Sequence, residues 1–314
     1  MKLNHPFTKL KKYLFGTNSR MGLFNKVVVY TLLSIVGFVY VYPLLYMFVS
    51  SFMSLDDLLD SSIKWLPSTL YFDNYTRALS VLNIKKSLYG SIVLSIVPSV
   101  FQVCVTALVG YGFARFRFRF KKTLLFFMIF SLVVPPQVLM MPTYVLYQDL
   151  KLVGSAYAFL IPAALGQGIK STIFVLIYYQ FFKQTPKALY EAAEVDGANE
   201  WTNFYRVGLP MAIPACIIVF LFSFVWYWNE VYLMNLYLTG NPRGTKWTTM
   251  LLNLQKFQQN YELIYPVKET GSMTINEGIV LAGTMITLIP LIITYVCLQK
   301  YFTESVDRTG ITGE

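Results

Sequence analysis

Six apolar runs constrain this chain more than any other feature. They lie near residues 27–50, 88–113, 123–145, 157–181, 211–236 and 278–299. Each is about as long as the roughly 20 residues a helix needs to cross some 30 Å of hydrocarbon. Only 13% of the 314 residues are charged, about half the share usual in soluble domains. The expectation is an all-α membrane protein with six transmembrane helices.

The net charge of +10 invites a nucleic-acid reading, but its placement argues otherwise. Lys2, Lys9, Lys11, Lys12, Arg20 and Lys26 precede the first run with no acid among them, and Arg115, Arg117, Arg119, Lys121 and Lys122 follow the second. Basic residues gathered at alternate span ends mark the inner face of a membrane. An even number of spans then puts both termini in the cytoplasm. The expected organisation is a basic segment 1–26, a six-span domain 27–302 and a tail 303–314, with the lipid bilayer and no nucleic acid as its surroundings. The first run is too long for a cleaved leader and lacks its small-residue cleavage pattern, so it reads as a retained span.

Pro98, Pro162, Pro214 and Pro290 fall inside the runs, where a proline frees a carbonyl and kinks a helix. Kinked packing and a gating hinge are both open readings of them. Cys104, Cys216 and Cys297 are expected to be small buried hydrophobes. Two long segments, 51–87 and 237–276, fall on the outer side. The first contains Asn74-Tyr75-Thr76, a glycosylation pattern that is common by chance. The second mixes Tyr, Phe and amides around Gln255–Tyr261, which suits contact with an external partner.

Enzymatic chemistry finds little to work with. The one histidine is His5, in the basic tail, so neither a histidine zinc site nor a catalytic triad can be built. Gly240–Lys246 reads GNPRGTK and lacks the spacing of a phosphate-cradling loop. No cofactor or metal site is expected in this chain.

One stretch between apolar runs is polar. Residues 186–210 carry Lys187, Glu191, Glu194, Asp196, Glu200 and Arg206 and fall on the cytoplasmic side. Thr185 is placed to cap a helix starting at Pro186. Gly197 suits the left-handed residue that ends it. A second helix begins near Asn199, with Trp201, Phe204 and Tyr205 on one face and Pro210 as its limit. Ala192 and Ala193 permit close approach and Glu191 offers a carboxylate, the chemistry of a helix seated in another protein's groove.

Within this stretch Glu191, Ala192, Ala193, Gly197, Val207, Leu209 and Pro210 reproduce the spacing of the EAA loop. The chain resembles the permease subunits of binding-protein-dependent ABC importers, with Val207 where the pattern has Ile. Phe72-Asp73-Asn74-Tyr75, Pro135-Pro136-Gln137, Met141-Pro142 and Trp226-Tyr227-Trp228-Asn229-Glu230 are similar to the carbohydrate branch, the maltose-type second permease subunit. The tail Gly310-Ile311-Thr312-Gly313 resembles that branch more weakly.

The resemblance implies half of a pore for a carbohydrate, an oligosaccharide above all, in the bacterial cytoplasmic membrane. It implies a second permease subunit, two ATPase subunits that hold the ATP and Mg, and an extracellular solute-binding protein. The chain would be no enzyme itself. By carry-over Glu191 pairs with a basic ATPase residue, Gly197 forms the turn, and Leu209-Pro210 fix the loop to the fifth span. A non-sugar solute and an ion-coupled carrier are the competing readings.

Lys170 lies midway along the fourth run, where an unpaired cation costs about 2.5–3.5 kcal/mol on insertion scales. A place on the substrate pathway with Asn229 and Glu230, an ion pair with Glu230, and snorkelling from a broken helix all stand as readings.

Overall fold

The computed structural model describes residues 14–17, 20–60, 62, 65–239, 246–266 and 275–311. The chain divides into two compact units, Met1–Thr76 with Ile275–Met285, and Arg77–Thr274 with Ile286–Glu314. Apart from a hairpin of two-residue strands, β1 (Gly16–Thr17) and β2 (Arg20–Met21), the described residues form helices and their connections.

The first unit is dominated by α1 (Leu23–Ser50), followed by α2 (Leu55–Leu59) and the start of α3 (Asp73–Val81). Helix α1 carries Pro43 and is exposed along nearly its whole length, with Ser50 its one buried residue. It is held at that end. The Asn74 amide, fully buried, donates to the carbonyls of Ser51 (3.0 Å) and Met53 (2.8 Å). The hydroxyls of Ser51 and Tyr75 lie 2.8 Å apart, and Phe52 packs its ring on Phe72 and Tyr75. Gly278, near the start of the last helix, fits against the same turn: a Cβ there would lie 2.8 Å from Asn74 Nδ2 and 3.1 Å from the Met53 carbonyl. Phe72-Asp73-Asn74-Tyr75 is therefore a structural lock, and the buried Asn74 is inaccessible as a glycosylation acceptor. Ser54 and Asp57 form a reciprocal capping box at the start of α2, and Ser68 donates to Asp57 at 2.6 Å. That last bond is the chief reason the Asp57 carboxyl titrates below the usual range.

The second unit is built around α4 (Ile84–Arg115). Its buried positions Ser87, Ser91, Ser95, Ser99, Gln102, Thr106 and Gly110 recur at three- and four-residue spacing, so they form one stripe down the helix. Small residues let backbones approach closely where no water drives association. The approach is tight. A Cβ on Gly110 would lie 2.5 Å from Tyr178 Cβ, and one on Gly90 would overlap the Thr248 carbonyl. Pro98 lies on this buried face, and the Ser99 hydroxyl donates to the Ser95 carbonyl nearby.

Around α4 the chain runs α5 (Lys121–Phe130), α6 (Pro136–Asp149), α7 (Tyr157–Ala164), α8 (Ser171–Gln184), α9 (Lys187–Val195) and α10 (Glu200–Thr202). A wider π turn over Asn203–Gly208 leads into α11 (Leu209–Met211) and α12 (Ile213–Asn229). Then come α13 (Tyr232–Thr239), α14 (Met250–Gln255), α15 (Phe257–Ile264) and α16 (Glu277–Ile311). Helices α7, α8 and α12 pack directly on α4.

The expected third and fourth spans, 123–145 and 157–181, are not continuous helices. The third breaks over Ser131–Pro135, where two successive prolines cannot continue the ladder, and Pro136 starts α6. The fourth breaks between Ala164 and Ser171, with Gly166 and Lys170 at φ +73° and +59°. The fifth bends by 74° at Ala212 and stops again at Glu230. Pro214 is not a mid-span kink; it sits in the first turn of α12, where a missing N–H costs little. Among the described residues three helices are long and apolar enough to cross a membrane, or four if the bent pair Glu200–Met211 and Ile213–Asn229 counts as one.

The expectation of buried cysteines also fails in part. Cys104 and Cys297 are exposed on apolar helix faces turned away from the packing, Cys216 is half-buried, and all three are free thiols. The segment around Gln255–Tyr261 is two short helices. Phe257 and Tyr261 turn inward, Arg77 donates to the Tyr261 hydroxyl at 3.2 Å, and Gln258, Gln259 and Leu263 face outward. The GNPRGTK run falls mostly outside the described residues, as do most of the basic N-terminal residues and Thr312-Gly313.

Candidate functional site

The polar stretch folds into a helical hairpin whose ends are set by local chemistry. Helix α9 closes in a paired pattern, with the Gly197 N–H bonded to the Glu194 carbonyl (3.0 Å) and the Ala198 N–H to the Ala193 carbonyl (2.9 Å). This is the Schellman arrangement, and Gly197 supplies its left-handed residue at φ +84°. Asn199 then caps the next helix, accepting from the Thr202 N–H at 2.8 Å. The start differs from expectation. Thr185 does not cap α9, because its hydroxyl turns back to the Phe181 carbonyl at 3.2 Å.

The EAA residues divide into an exposed half and an anchored half. Glu191, Ala192 and Gly197 are exposed, Ala193 is half-buried, and among the described residues no atom beyond its chain neighbours lies within 4 Å of where a Gly197 Cβ would be. Leu189 and Val195 add apolar surface to α9. Val207 and Leu209, by contrast, pack against a core of Ala107, Tyr111, Phe182, Tyr190 and Phe204. Pro210 falls within α11 and does not end the helical path, which turns at Ala212 instead. Trp201 and Tyr205 stack together on the outside, but Phe204 is buried on the other side, because the π turn rotates it inward.

A clamp at the end of α4 holds the hairpin. Arg115 lies with its guanidinium carbon 3.9 Å from the Tyr190 ring centroid and pairs with Glu194 at 3.4 Å. Asn203 donates to the same Glu194 oxygen at 3.3 Å, so one carboxylate links α4, α9 and the π turn. Tyr190 is fully buried, which pushes its phenol pKa up.

The second feature is a cavity of about 360 Å³ where two helices are broken. Ser131, from the break before α6, Gln167, Gly168 and Lys170, from the break before α8, and Ser171 and Thr172, the first residues of α8, line it together with Tyr147, Tyr227 and Tyr237. Broken helices are tolerated at membrane depth where side chains satisfy the freed backbone. Here Tyr227 and Gln102 do so. The Tyr227 hydroxyl accepts the Ile169 N–H at 3.1 Å, and the Gln102 amide donates to the Ile169 carbonyl at 3.0 Å and to Tyr227 at 3.0 Å. Gly168 must be small, since a Cβ would lie 2.4 Å from the Gln102 amide nitrogen.

Lys170 is exposed, lines this cavity, and holds its ammonium 5.9 Å from the Trp226 ring centroid. It does not pair with Glu230. That carboxylate accepts the Leu233 N–H at 2.9 Å in the first turn of α13, while the Asn229 amide donates to the Val225 carbonyl at 3.0 Å. Asn229 and Glu230 do not line the cavity with Lys170.

The sequence profile of the family described as "Binding-protein-dependent transport system inner membrane component" matches residues 102–308, which cover both the hairpin and the cavity. The chain belongs to this family. It is 25% identical over 91% of its length to the "Polygalacturonan/rhamnogalacturonan transport system permease protein YtcP" of Bacillus subtilis, covering 97% of that protein. It is 28% identical to the "Diacetylchitobiose uptake system permease protein NgcG" of Streptomyces coelicolor, over 89% of this chain and 86% of that one. A solved bacterial ABC transporter involved in the import of the acidic polysaccharide alginate shares the fold, with a TM-score of 0.75 at 23% identity. The match covers 88% of this chain and 96% of that one.

As an integral membrane permease of this family, the chain is a transport component and not an enzyme. Several of its site residues escaped the sequence reading. Arg115, Tyr190, Glu194 and Asn203, which hold the hairpin, are ordinary residues with no spacing signature. Gln102 and Tyr227 carry a signal that hydropathy averaging hides: a lone amide inside an apolar run needs a partner.

Proposed function

We propose that this chain is the permease subunit of an ATP-driven, binding-protein-dependent importer for a carbohydrate, an oligosaccharide in class, in the bacterial cytoplasmic membrane. The observation that carries the reading is the divided EAA hairpin, exposed at Glu191, Ala192 and Gly197 and clamped to α4 through Arg115, Tyr190 and Glu194. Such a projection serves when a separate protein receives it. In this reading six membrane crossings place both termini and the hairpin in the cytoplasm, with the third, fourth and fifth crossings made by broken or bent helices.

The partners are a second permease subunit, two ATPase subunits carrying ATP and Mg, and an extracellular solute-binding protein. Closure of the ATPases pushes on α9, with Glu191 meeting a basic ATPase residue. The clamp passes the movement to α4, and Leu209-Pro210 pass it through the Ala212 bend to α12. The relatives support the carbohydrate class, being permeases for polygalacturonan or rhamnogalacturonan and for diacetylchitobiose. The cavity at the two helix breaks, with its tyrosines, amide and hydroxyls, is the solute's place in this half of the pore.

Uptake by the reconstituted complex tests the reading. Transport should need ATP and the binding protein. Glu191→Lys should abolish it while the chain still inserts. Gly197→Val should do the same, because a β-branched residue at φ +84° costs on the order of 1–3 kcal/mol. Normal ATP-coupled uptake in both variants would sink the coupling role, and uptake driven by an ion gradient would make the chain part of a secondary carrier.

A further inference from the structure

We infer that the cavity at the helix breaks is a carboxylate-recognising subsite, and that the solute is an acidic saccharide bearing uronate groups. The inference rests on the importer reading and narrows its substrate.

Three observations converge on one place. The first is Lys170, a cation in the middle of an apolar segment, with no carboxylate partner among the described residues. Its one neighbour of note is the Trp226 ring, which steadies the ammonium from one side without neutralising it. Placing such a charge in a membrane segment is costly, and residues that bear that cost commonly serve a transported or bound ion. The second is the backbone. Lys170 sits at φ +59° as the residue preceding α8, a conformation uncommon for a side chain of this length. The break directs the 14-residue α8 so that Ser171 and Thr172, its first residues, line the cavity beside Lys170, and a helix start attracts negative charge. The third is Ser171 itself. It is 5% exposed, lines the cavity, and its buried hydroxyl has no hydrogen-bond partner among the described residues. A buried hydroxyl without a partner is expensive unless a ligand supplies one.

The remaining lining suits the rest of a sugar. Gln167, Ser131 and Thr172 can exchange hydrogen bonds with ring hydroxyls, and the half-buried Tyr147 adds an aromatic ring. Among the described residues no Asp or Glu lines the cavity, so nothing there repels an anion. A volume of about 360 Å³ suits one or two sugar rings rather than a polymer.

The test uses the whole transporter in proteoliposomes, this chain with its partner subunits and binding protein. The probes are digalacturonic acid and its neutral dimethyl ester, which differ in charge far more than in size. The acid should be taken up with ATP in preference to the ester. Lys170→Asn removes the charge with a residue that accepts the left-handed backbone, and should lower uptake of limiting acid about tenfold or more. Lys170→Arg should keep most of it, and Ser171→Ala should weaken it by a smaller factor. Lys170→Asn should also pull the acid-to-ester preference toward one, which a merely structural role would not do.

Equal uptake of acid and ester, uptake of neither, or an unaltered preference in Lys170→Asn each overturns the inference. ATP-driven uptake of a neutral oligosaccharide in the same vesicles would then leave the importer reading standing. Dependence on an ion gradient in place of ATP would remove that reading as well.

Discussion

Helices α1 and α4 pass the same test for crossing a membrane and are nearly equal in hydropathy, yet they belong to different worlds. None of the apolar window of α1 is buried, against 39% of that of α4. The difference lies in what interrupts the apolar residues. On α4 the small and polar side chains from Ser87 to Gly110 keep to one face, where α7, α8 and α12 meet them. Helix α1 has no such face; it is held at Ser50 and the turn that follows, and Tyr42 meets the Trp65 ring. Hydropathy decides whether a helix can enter a bilayer. The arrangement of its small residues decides what it packs against.

Substitutions on the two helices can break this contrast. The largest effect should come from Gly110→Leu, which would force side-chain atoms into Tyr178 and the Tyr179 backbone. A loss of about 3 kcal/mol is expected, read as a fall in the melting temperature of the detergent-purified protein. Gln102→Leu comes next. It leaves the part-buried Ile169 carbonyl without its donor, for a loss of about 1–2 kcal/mol.

A smaller effect is expected beyond the end of α1, in α2, and it depends on pH. Asp57 is held below its ordinary pKa in the fold, mainly by Ser68, so its contribution is present above its unfolded value near 4. It is lost as the pH falls through the lower folded value. Ser68→Ala should therefore reduce stability at neutral pH and flatten the acid side of the stability profile. Gly37→Leu should do least, within about 0.5 kcal/mol, since among the described residues nothing beyond its own helical turn lies within 4 Å of a Cβ there. If Gly37→Leu proved as damaging as Gly110→Leu, the face of α1 would be covered in the working complex and the contrast would end there.

What could be read beforehand follows the same division. The apolar runs and the hairpin were legible because each depends on local signals, hydropathy in one case and the Gly197 and Asn199 caps in the other. The broken spans were not. A window of about 20 residues averages over Pro135-Pro136 and over Gly166–Lys170, and the breaks are stabilised by Tyr227 and Gln102, far away in sequence. Thr185 matched a capping pattern, yet its hydroxyl had a nearer acceptor in Phe181. Phe204 had the right spacing for a surface stripe, but a widened turn changed its direction. Lys170 was visible as an anomaly, while its surroundings were set by two breaks that the hydropathy did not show.

The bonds at Ile169 also bear on how the molecule can move. One residue's N–H and C=O are held by side chains of two different helices, Tyr227 of α12 and Gln102 of α4, which also hold each other. In kinematic terms this is a three-way pin joint. Helix α4 cannot slide along α12, nor can the segment before α8 shift against either, without releasing two or three buried or part-buried hydrogen bonds. The three helices must therefore rotate as a block, with travel taken up at the Ala212 bend and at the prolines before α6.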